Sequence, residues 1–342
     1  MTRPVTVRDL VVVGASAGGV EALRSLVAQL PADLPAGVLV VLHLPPGGTS
    51  ALAGILDRAG PLPARSAQHG EPIEHGHLYV APPDHHLLVD GDCCVLSSGA
   101  TENGHRPAVN ALFRSAALAR GPLVAGIVLS GVLDDGTAGL VAIKSHGGLA
   151  IVQDLDDAAY RGMPETALAN VRADHVLPAA EIGAQLGQIL GTPLEPAPIY
   201  EPSALLRYEN ALAQNRDGAG DELKLVGSYS GLTCPDCQGA LVQLDPGHER
   251  FRCRIGHAWS ADALLATADH RMQAALWTAL RALDEKTGLA GRMAVSAEAR
   301  GHRELARRYA GTAEEAGQAA RILRDRLTAG ESEAVTDEGG AR

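Results

Sequence analysis

Ser16, His43 and an aspartate at position 134 or 135 are the side chains of this 342-residue sequence whose types fit acyl-transfer chemistry. A serine hydroxyl becomes a nucleophile when a base takes its proton. A neutral histidine near pH 7 supplies that base, and a carboxylate fixes the histidine tautomer and stabilises the imidazolium. Together the three would cleave an acyl bond through a covalent intermediate. A second set has a different chemistry: Cys234-Pro235-Asp236-Cys237 forms one knuckle, and Cys253-Arg254-Ile255-Gly256-His257 completes a group of three cysteines and one histidine. Four soft or borderline ligands, with no position left for water, suit a structural zinc. His248 is a weaker candidate ligand, and Cys93 and Cys94, on or beside a strand, belong with the core.

The first set works only if the chain brings its members to one place. Leu10-Val11-Val12-Val13 is a short, β-branched apolar run of the kind covered on both faces, and it ends in the turn Gly14-Ala15-Ser16-Ala17-Gly18-Gly19. Val20, Leu23, Leu26, Val27 and Leu30 then recur at helical spacing. Ser16 therefore sits on a strand-to-helix turn, where backbone N–H groups at the helix start can stabilise an oxyanion. A second strand over 37–42 runs into His43-Leu44-Pro45-Pro46, whose prolines stop it. Strands joined by one helix form a right-handed parallel unit, so Ser16 and His43 should emerge on the same edge of the sheet. A further strand over 123–129 delivers the loop 130–136 to that edge, and with it Asp134 and Asp135. Either aspartate could instead cap the next helix, and spacing does not choose between them. The backbone N–H groups of Ala17, His43 and Val132 are the candidate oxyanion donors.

Further strands are expected over 78–81, 94–96, 149–152 and 175–177, a turn over 82–86, and helices over 108–119, through 140–143, from Glu165, and over 181–190. This alternation predicts an α/β domain over 1–191, built on a doubly wound, mostly parallel sheet. Residues 192–230, rich in proline at first, read as a linker with a short helix near 207–213. Residues 231–260 read as the small Cys/His, zinc-ribbon-like module and 261–330 as a helical region, with 331–342 a disordered tail. In the helical region Leu265, Met272, Leu276, Leu280 and Leu283 form one stripe, and Leu305, Tyr309, Ile322, Leu323 and Leu327 suggest a second. A dinucleotide site would want an acidic residue at the end of the second strand, where His43 stands, and no P-loop run is present.

Composition narrows the classes further. The formal charge of −11 argues against nucleic acid as the main partner, which needs a basic face. The N-terminus lacks an apolar core of signal-peptide length, and no apolar run reaches the roughly 20 residues that cross a bilayer, so a cytoplasmic protein without membrane insertion is expected. Five cysteines, an odd number, fit thiols or metal ligands rather than a disulfide framework.

Six blocks taken together carry a resemblance: Gly14-Ala15-Ser16-Ala17-Gly18-Gly19, His43-Leu44-Pro45, Ala81-Pro82-Pro83-Asp84-His85-His86, His105-Arg106-Pro107-Ala108-Val109, Ser130-Gly131-x-x-x-Asp135-Gly136 and Gly162-Met163-Pro164. Over about residues 8–190 the chain resembles the catalytic domain of the chemotaxis protein-glutamate methylesterases, the CheB family. The resemblance implies that Ser16 is the catalytic serine, His43 the histidine and Asp135, directly before a glycine, the aspartate. It also implies hydrolysis of glutamyl methyl esters, and deamidation of glutamines, on the cytoplasmic domain of methyl-accepting chemoreceptors, with other chemosensory proteins as further partners and no cofactor for catalysis. The pattern departs from the family's in two respects. The first catalytic strand begins by Leu10, so control by a receiver domain in the same chain is not expected, and Val132 and Leu133 stand where the family usually has Met and Gly. A paralogue acting on another methylated protein fits the same residues. The alternative function is a scaffold acting through the zinc-ribbon-like and helical regions.

Overall fold

Every residue of the first strand, β1 (Leu10–Ala15), is buried, because alternate side chains serve two apolar layers. Val11, Val13 and Ala15 point into one core and Leu10 and Val12 into the other. That is the demand a parallel strand with both faces covered makes of its sequence. The computed structural model describes residues 7–44, 47–48, 50–194, 200–216, 227–245 and 249–337, with side chains as far as 328.

From β1 the chain passes through α1 (Gly19–Val27), β2 (Gly37–Leu42), α2 (Leu52–Asp57), β3 (Ala64–Ser66), β4 (Leu78–Val80), β5 (His86–Asp90), β6 (Cys93–Ser97) and α3 (Val109–Arg120). It continues through β7 (Val124–Val128), α4 (Thr137–Ser145), β8 (Leu149–Gln153), α5 (Gly162–Asn170), β9 (His175–Leu177) and α6 (Ala179–Leu190). Seven strands form a parallel sheet in the order β3-β4-β2-β1-β7-β8-β9. Helices α1, α2 and α6 cover one face, and α3, α4 and α5 with the β5–β6 hairpin cover the other. The chain leaves β1 toward β2 on one side and returns as β7 on the other. The carboxyl ends of these three strands therefore flank a switch point, the place where open α/β sheets put their sites. His86, expected in a turn, instead begins β5 and is fully buried.

Two expectations about the second half change. The 192–230 segment carries α7 (Ala204–Ala213), started by Ser203, whose Oγ accepts from the Leu206 N–H at 3.1 Å. Its Leu206, Tyr208, Glu209, Leu212 and Ala213 are buried, so this part is a docked helix rather than a linker. The short helix expected near 207–213 is present and begins three residues earlier, and what the sequence does not show is its docking against the neighbouring sheet and helix. Strands β10 (Ser228–Thr233), β11 (Ala240–Asp245), β12 (Arg250–Cys253) and β13 (Ala258–Ser260) then form an antiparallel sheet in chain order. This Cys/His module shares one compact unit, Met1–Leu264, with the α/β sheet.

The other unit, Leu265–Arg342, consists of the rest of α8 (Ala261–Ala299) and of α9 (Arg303–Asp337), which pair as an antiparallel hairpin. Leu280, Ala320 and Leu327 form its buried centre, with Leu276, Leu283 and Leu323 against them. Leu265, Met272, Leu305 and Ile322, read as stripe positions, are exposed. Ala290, Ala297, Ala306 and Ala316 are buried as well, and they are too small to stand out in a hydrophobic pattern. Helix α9 continues through Asp337 into the expected tail, since each residue added to a formed helix gains a hydrogen bond without a new nucleus. Among the described residues, no helix is long and apolar enough to cross a membrane.

Candidate active site

The register of the central strands brings the first two residues together. Ala15 on β1 pairs with Leu42 on β2, so Ser16 and His43 leave adjacent strands side by side. His43 Nδ1 lies 3.1 Å from Ser16 Oγ, and His43 Nε2 lies 2.7 Å from Asp135 Oδ2. An ionised carboxylate only accepts, so the imidazole carries its proton on Nε2 and turns a lone pair on Nδ1 toward the serine hydroxyl.

Asp135 rather than Asp134 completes this line. Asp135 is buried, and its carboxylate also accepts from the N–H groups of Val109 at 2.7 Å, Asn110 at 3.0 Å and Gly136 at 2.9 Å. It thus caps the start of α3, whose own cap position holds Ala108. Burial alone would raise its pKa, but the hydrogen bond and charge of His43 and the Val109 N–H outweigh that and hold it below the ordinary aspartate value. Asp134 faces the other way: its Oδ1 accepts from Ser260 Oγ at 2.8 Å and Asn103 Nδ2 at 3.4 Å. Burial pushes the Asp134 pKa up to about 6, with Asp135 adding repulsion against the Ser260 hydrogen bond.

Two glycines allow this assembly. A side chain on Gly14 would meet Val109 Cγ1 at 2.1 Å, so the α3 N-terminus reaches β1 only over a bare backbone. Gly18 takes φ 69° at the cap of α1, a left-handed conformation that other residues seldom adopt.

Ser130 and His105 occupy central places that residue type and spacing do not single out. Ser130 is fully buried, and its carbonyl accepts from the Ser16 N–H at 2.9 Å. Its Oγ donates to the Ala17 carbonyl at 2.8 Å and accepts from the Tyr160 N–H at 2.9 Å, so one hydroxyl ties the three loops of the rim. His105 stacks on His43 with ring centroids 4.0 Å apart and planes 7° from parallel. Burial first, then the His43 charge, press its pKa down to about 4, so His105 is neutral near pH 7. Position within the His105-Arg106-Pro107 block is the only sequence signal for it.

Of the candidate oxyanion donors, the His43 N–H is engaged with the Ala15 carbonyl at 3.3 Å. Among the described residues, those of Ala17 and Val132 donate to no other group. Val132 and Tyr160 beside the serine turn are 45% and 50% exposed. The second candidate set also converges: ligand atoms of Cys234, Cys237, Cys253 and His257 lie within 4.8 Å of one another. His248 lies outside the described residues.

Comparison with known proteins agrees with this geometry. The family model for CheB methylesterase matches residues 11–186. A protein-glutamate methylesterase/protein-glutamine glutaminase from Methanosarcina mazei is 39% identical over 193 residues, 54% of this chain and 53% of that one. Its counterpart in Symbiobacterium thermophilum is 38% identical over 185 residues, covering 54% and 51%. The chain thus spans about half the length of the curated relatives it matches. The crystal structure of the Thermotoga maritima CheB methylesterase catalytic domain matches with a TM-score of 0.52 and 34% identity, over 54% of this chain and 100% of that one. A doubly wound sheet, a serine turn beside a strand-end histidine, and a sequence match over more than half its length place this chain in the CheB methylesterase family.

Proposed function

We propose that the chain is a serine esterase that hydrolyses glutamyl methyl esters, and deamidates glutamines, on the cytoplasmic helices of methyl-accepting chemoreceptors. The observation that carries this reading is the unbroken line from Ser16 Oγ through the His43 ring to Asp135. Ser16 Oγ attacks the ester carbonyl while His43 Nδ1 takes its proton. Asp135 stabilises the imidazolium through the Nε2–H, and the N–H groups of Ala17 and Val132 receive the oxyanion. Methanol leaves with the proton returned by His43, so the glutamyl group is now esterified to Ser16. A water deprotonated by His43 then attacks this acyl-enzyme and frees the glutamate and the serine. A primary amide takes the same route with ammonia as leaving group. No step calls for a cofactor.

Methanol release from methylated receptor cytoplasmic domains tests the reading. Wild type should release it, and Ser16→Ala should lose at least about 1,000-fold in kcat with unfolding stability unchanged within about 0.5 kcal/mol. Equal release from both proteins would refute the assignment.

A further inference from the structure

The Cys/His set sits in two turns of the β10–β13 sheet. In the first, Gln238 N–H donates to the Cys234 carbonyl at 2.9 Å and Cys234 N–H to the Gly239 carbonyl at 2.8 Å. In the second, Gly256 N–H donates to the Cys253 carbonyl at 3.0 Å and Cys253 N–H to the His257 carbonyl at 3.1 Å. The cysteines are free thiols, with Cys237 and Cys253 sulfurs 3.6 Å apart. His257 Nδ1 is 3.7 Å from Cys234 Sγ and 3.4 Å from Cys253 Sγ. A tetrahedral zinc with bonds of about 2.3 Å to sulfur and about 2.0 Å to nitrogen separates its ligand atoms by about 3.5–3.8 Å. Three of the six ligand–ligand distances are within about 0.1 Å of that range, all six lie within 4.8 Å, and three sulfurs and a nitrogen would close the shell after a small inward shift.

The module does not stand apart from the catalytic rim. Its β13 lies along the segment that carries His105: Asn103 N–H donates to the Ala258 carbonyl at 2.7 Å, Ala258 N–H to the Thr101 carbonyl at 3.1 Å, and Ser260 N–H to Asn103 Oδ1 at 2.9 Å. Its Ser260 hydroxyl holds Asp134, the neighbour of Asp135, and Leu133 packs against its core of Cys234, Cys253 and Trp259. From inside the second turn, the Gly256 carbonyl accepts from Arg252 Nη1 at 2.6 Å, while Arg252 Nη2 pairs with buried Glu102 at 2.8 Å. Three routes therefore run from the ligand turns to the two segments that bear His105 and Asp135.

We infer that Cys234, Cys237, Cys253 and His257 form a structural zinc site whose metal holds this module against the rear of the catalytic rim, so that zinc occupancy sets the placement of His105 and of the Asp135 loop. The coupling to activity rests on the esterase reading; the zinc site and its effect on loop order do not. Without the ion, the two turns lose their common anchor, and strand β13 loses the rigidity that positions residues 101–105 and 133–135. Zinc here is a positioning element and touches no reacting atom.

The full chain, purified under reducing conditions, should contain one zinc per molecule by elemental analysis. Cobalt exchanged into it should show thiolate-to-cobalt charge transfer and tetrahedral d–d absorption. Cys237→Ser, at the exposed ligand, should lose the metal, whereas Cys237→His should keep it. Chelation should speed amide exchange in residues 101–105 and 133–136 more than in β1 and β2, and zinc re-addition should restore it. Hydrolysis of a small neutral ester should fall about 10- to 100-fold on chelation, with an altered pH profile of kcat, and recover with zinc. Ser16→Ala should hold zinc fully while hydrolysing nothing, which separates failure of the esterase reading from failure of this one. Metal-free protein lacking thiolate–cobalt bands would overturn the site. Unchanged exchange in both segments after chelation would overturn the coupling, whether or not the chain hydrolyses esters.

Discussion

At the residue scale, one carboxylate has two duties. Asp135 orients His43 and also caps α3, accepting from four N–H groups in all. An asparagine there keeps one acceptor oxygen but turns an NH2 group toward donors, so Asp135→Asn should lower kcat by about 1,000- to 10,000-fold. It should also cost about 1–3 kcal/mol of stability, read as a lower urea midpoint. Proton linkage at the rim is divided between two neighbouring groups. His105, held down to about 4, binds fewer protons folded than unfolded between about pH 4 and 6.5, so it makes stability rise with pH there. Asp134, raised to about 6, binds more protons folded than unfolded between about pH 4 and 6, so it makes stability fall with pH. The two slopes oppose each other in the wild type. Urea titrations across this window should show a steeper rise with pH than the wild type in Asp134→Asn, and a shallower one in His105→Gln.

At the element scale, the site is the meeting of β1, β2, the loop after β7 and the N-terminus of α3. Helix α3 supplies no side chain to the triad, yet its first N–H groups fix the Asp135 carboxylate, and its approach depends on Gly14. Gly14→Ala should therefore push α3 outward, destabilise by about 1–3 kcal/mol and lower kcat. The atoms it would strike belong to Val109, so Val109→Ala in the same chain should recover part of both losses. A double-mutant cycle with strictly additive terms would contradict this contact.

At the scale of the whole molecule, the catalytic sheet, α7 and the Cys/His module are joined by a buried ionic cluster. Glu102 pairs with Arg114 of α3 and Arg252 of β12, and Glu209 of α7 pairs with Arg252 and Arg250. Burial would raise the Glu102 pKa, but the two guanidiniums hold it far below the ordinary carboxylate range. Removing one member leaves buried charge without a partner, so Glu102→Gln should cost about 3–5 kcal/mol in chemical denaturation. The loss should spread to both the sheet and the module, because they share one compact unit and this cluster joins them, so they should unfold together. Separate transitions for the two in the wild type would argue otherwise.

Much of the catalytic half is legible in local sequence. The β-branched runs at Leu10 and Gly37, the glycine turn and the proline stop after His43 announce a parallel sheet, and parallel strands deliver their carboxyl-end loops to one edge. Ser16 and His43 can be paired on that ground alone, because strand periodicity and right-handed crossover are properties of short stretches of backbone. Spacing does not choose between Asp134 and Asp135. Adjacent side chains point to opposite sides, and which side holds His43 depends on where α3 and β13 pack. The docking of α7, the stacking of His105 and the Glu102–Arg252 pair, 150 residues apart in sequence, also belong to tertiary structure. Local pattern encodes which face of an element is apolar, but the partner of a buried charge or ring is decided by which distant segment arrives beside it.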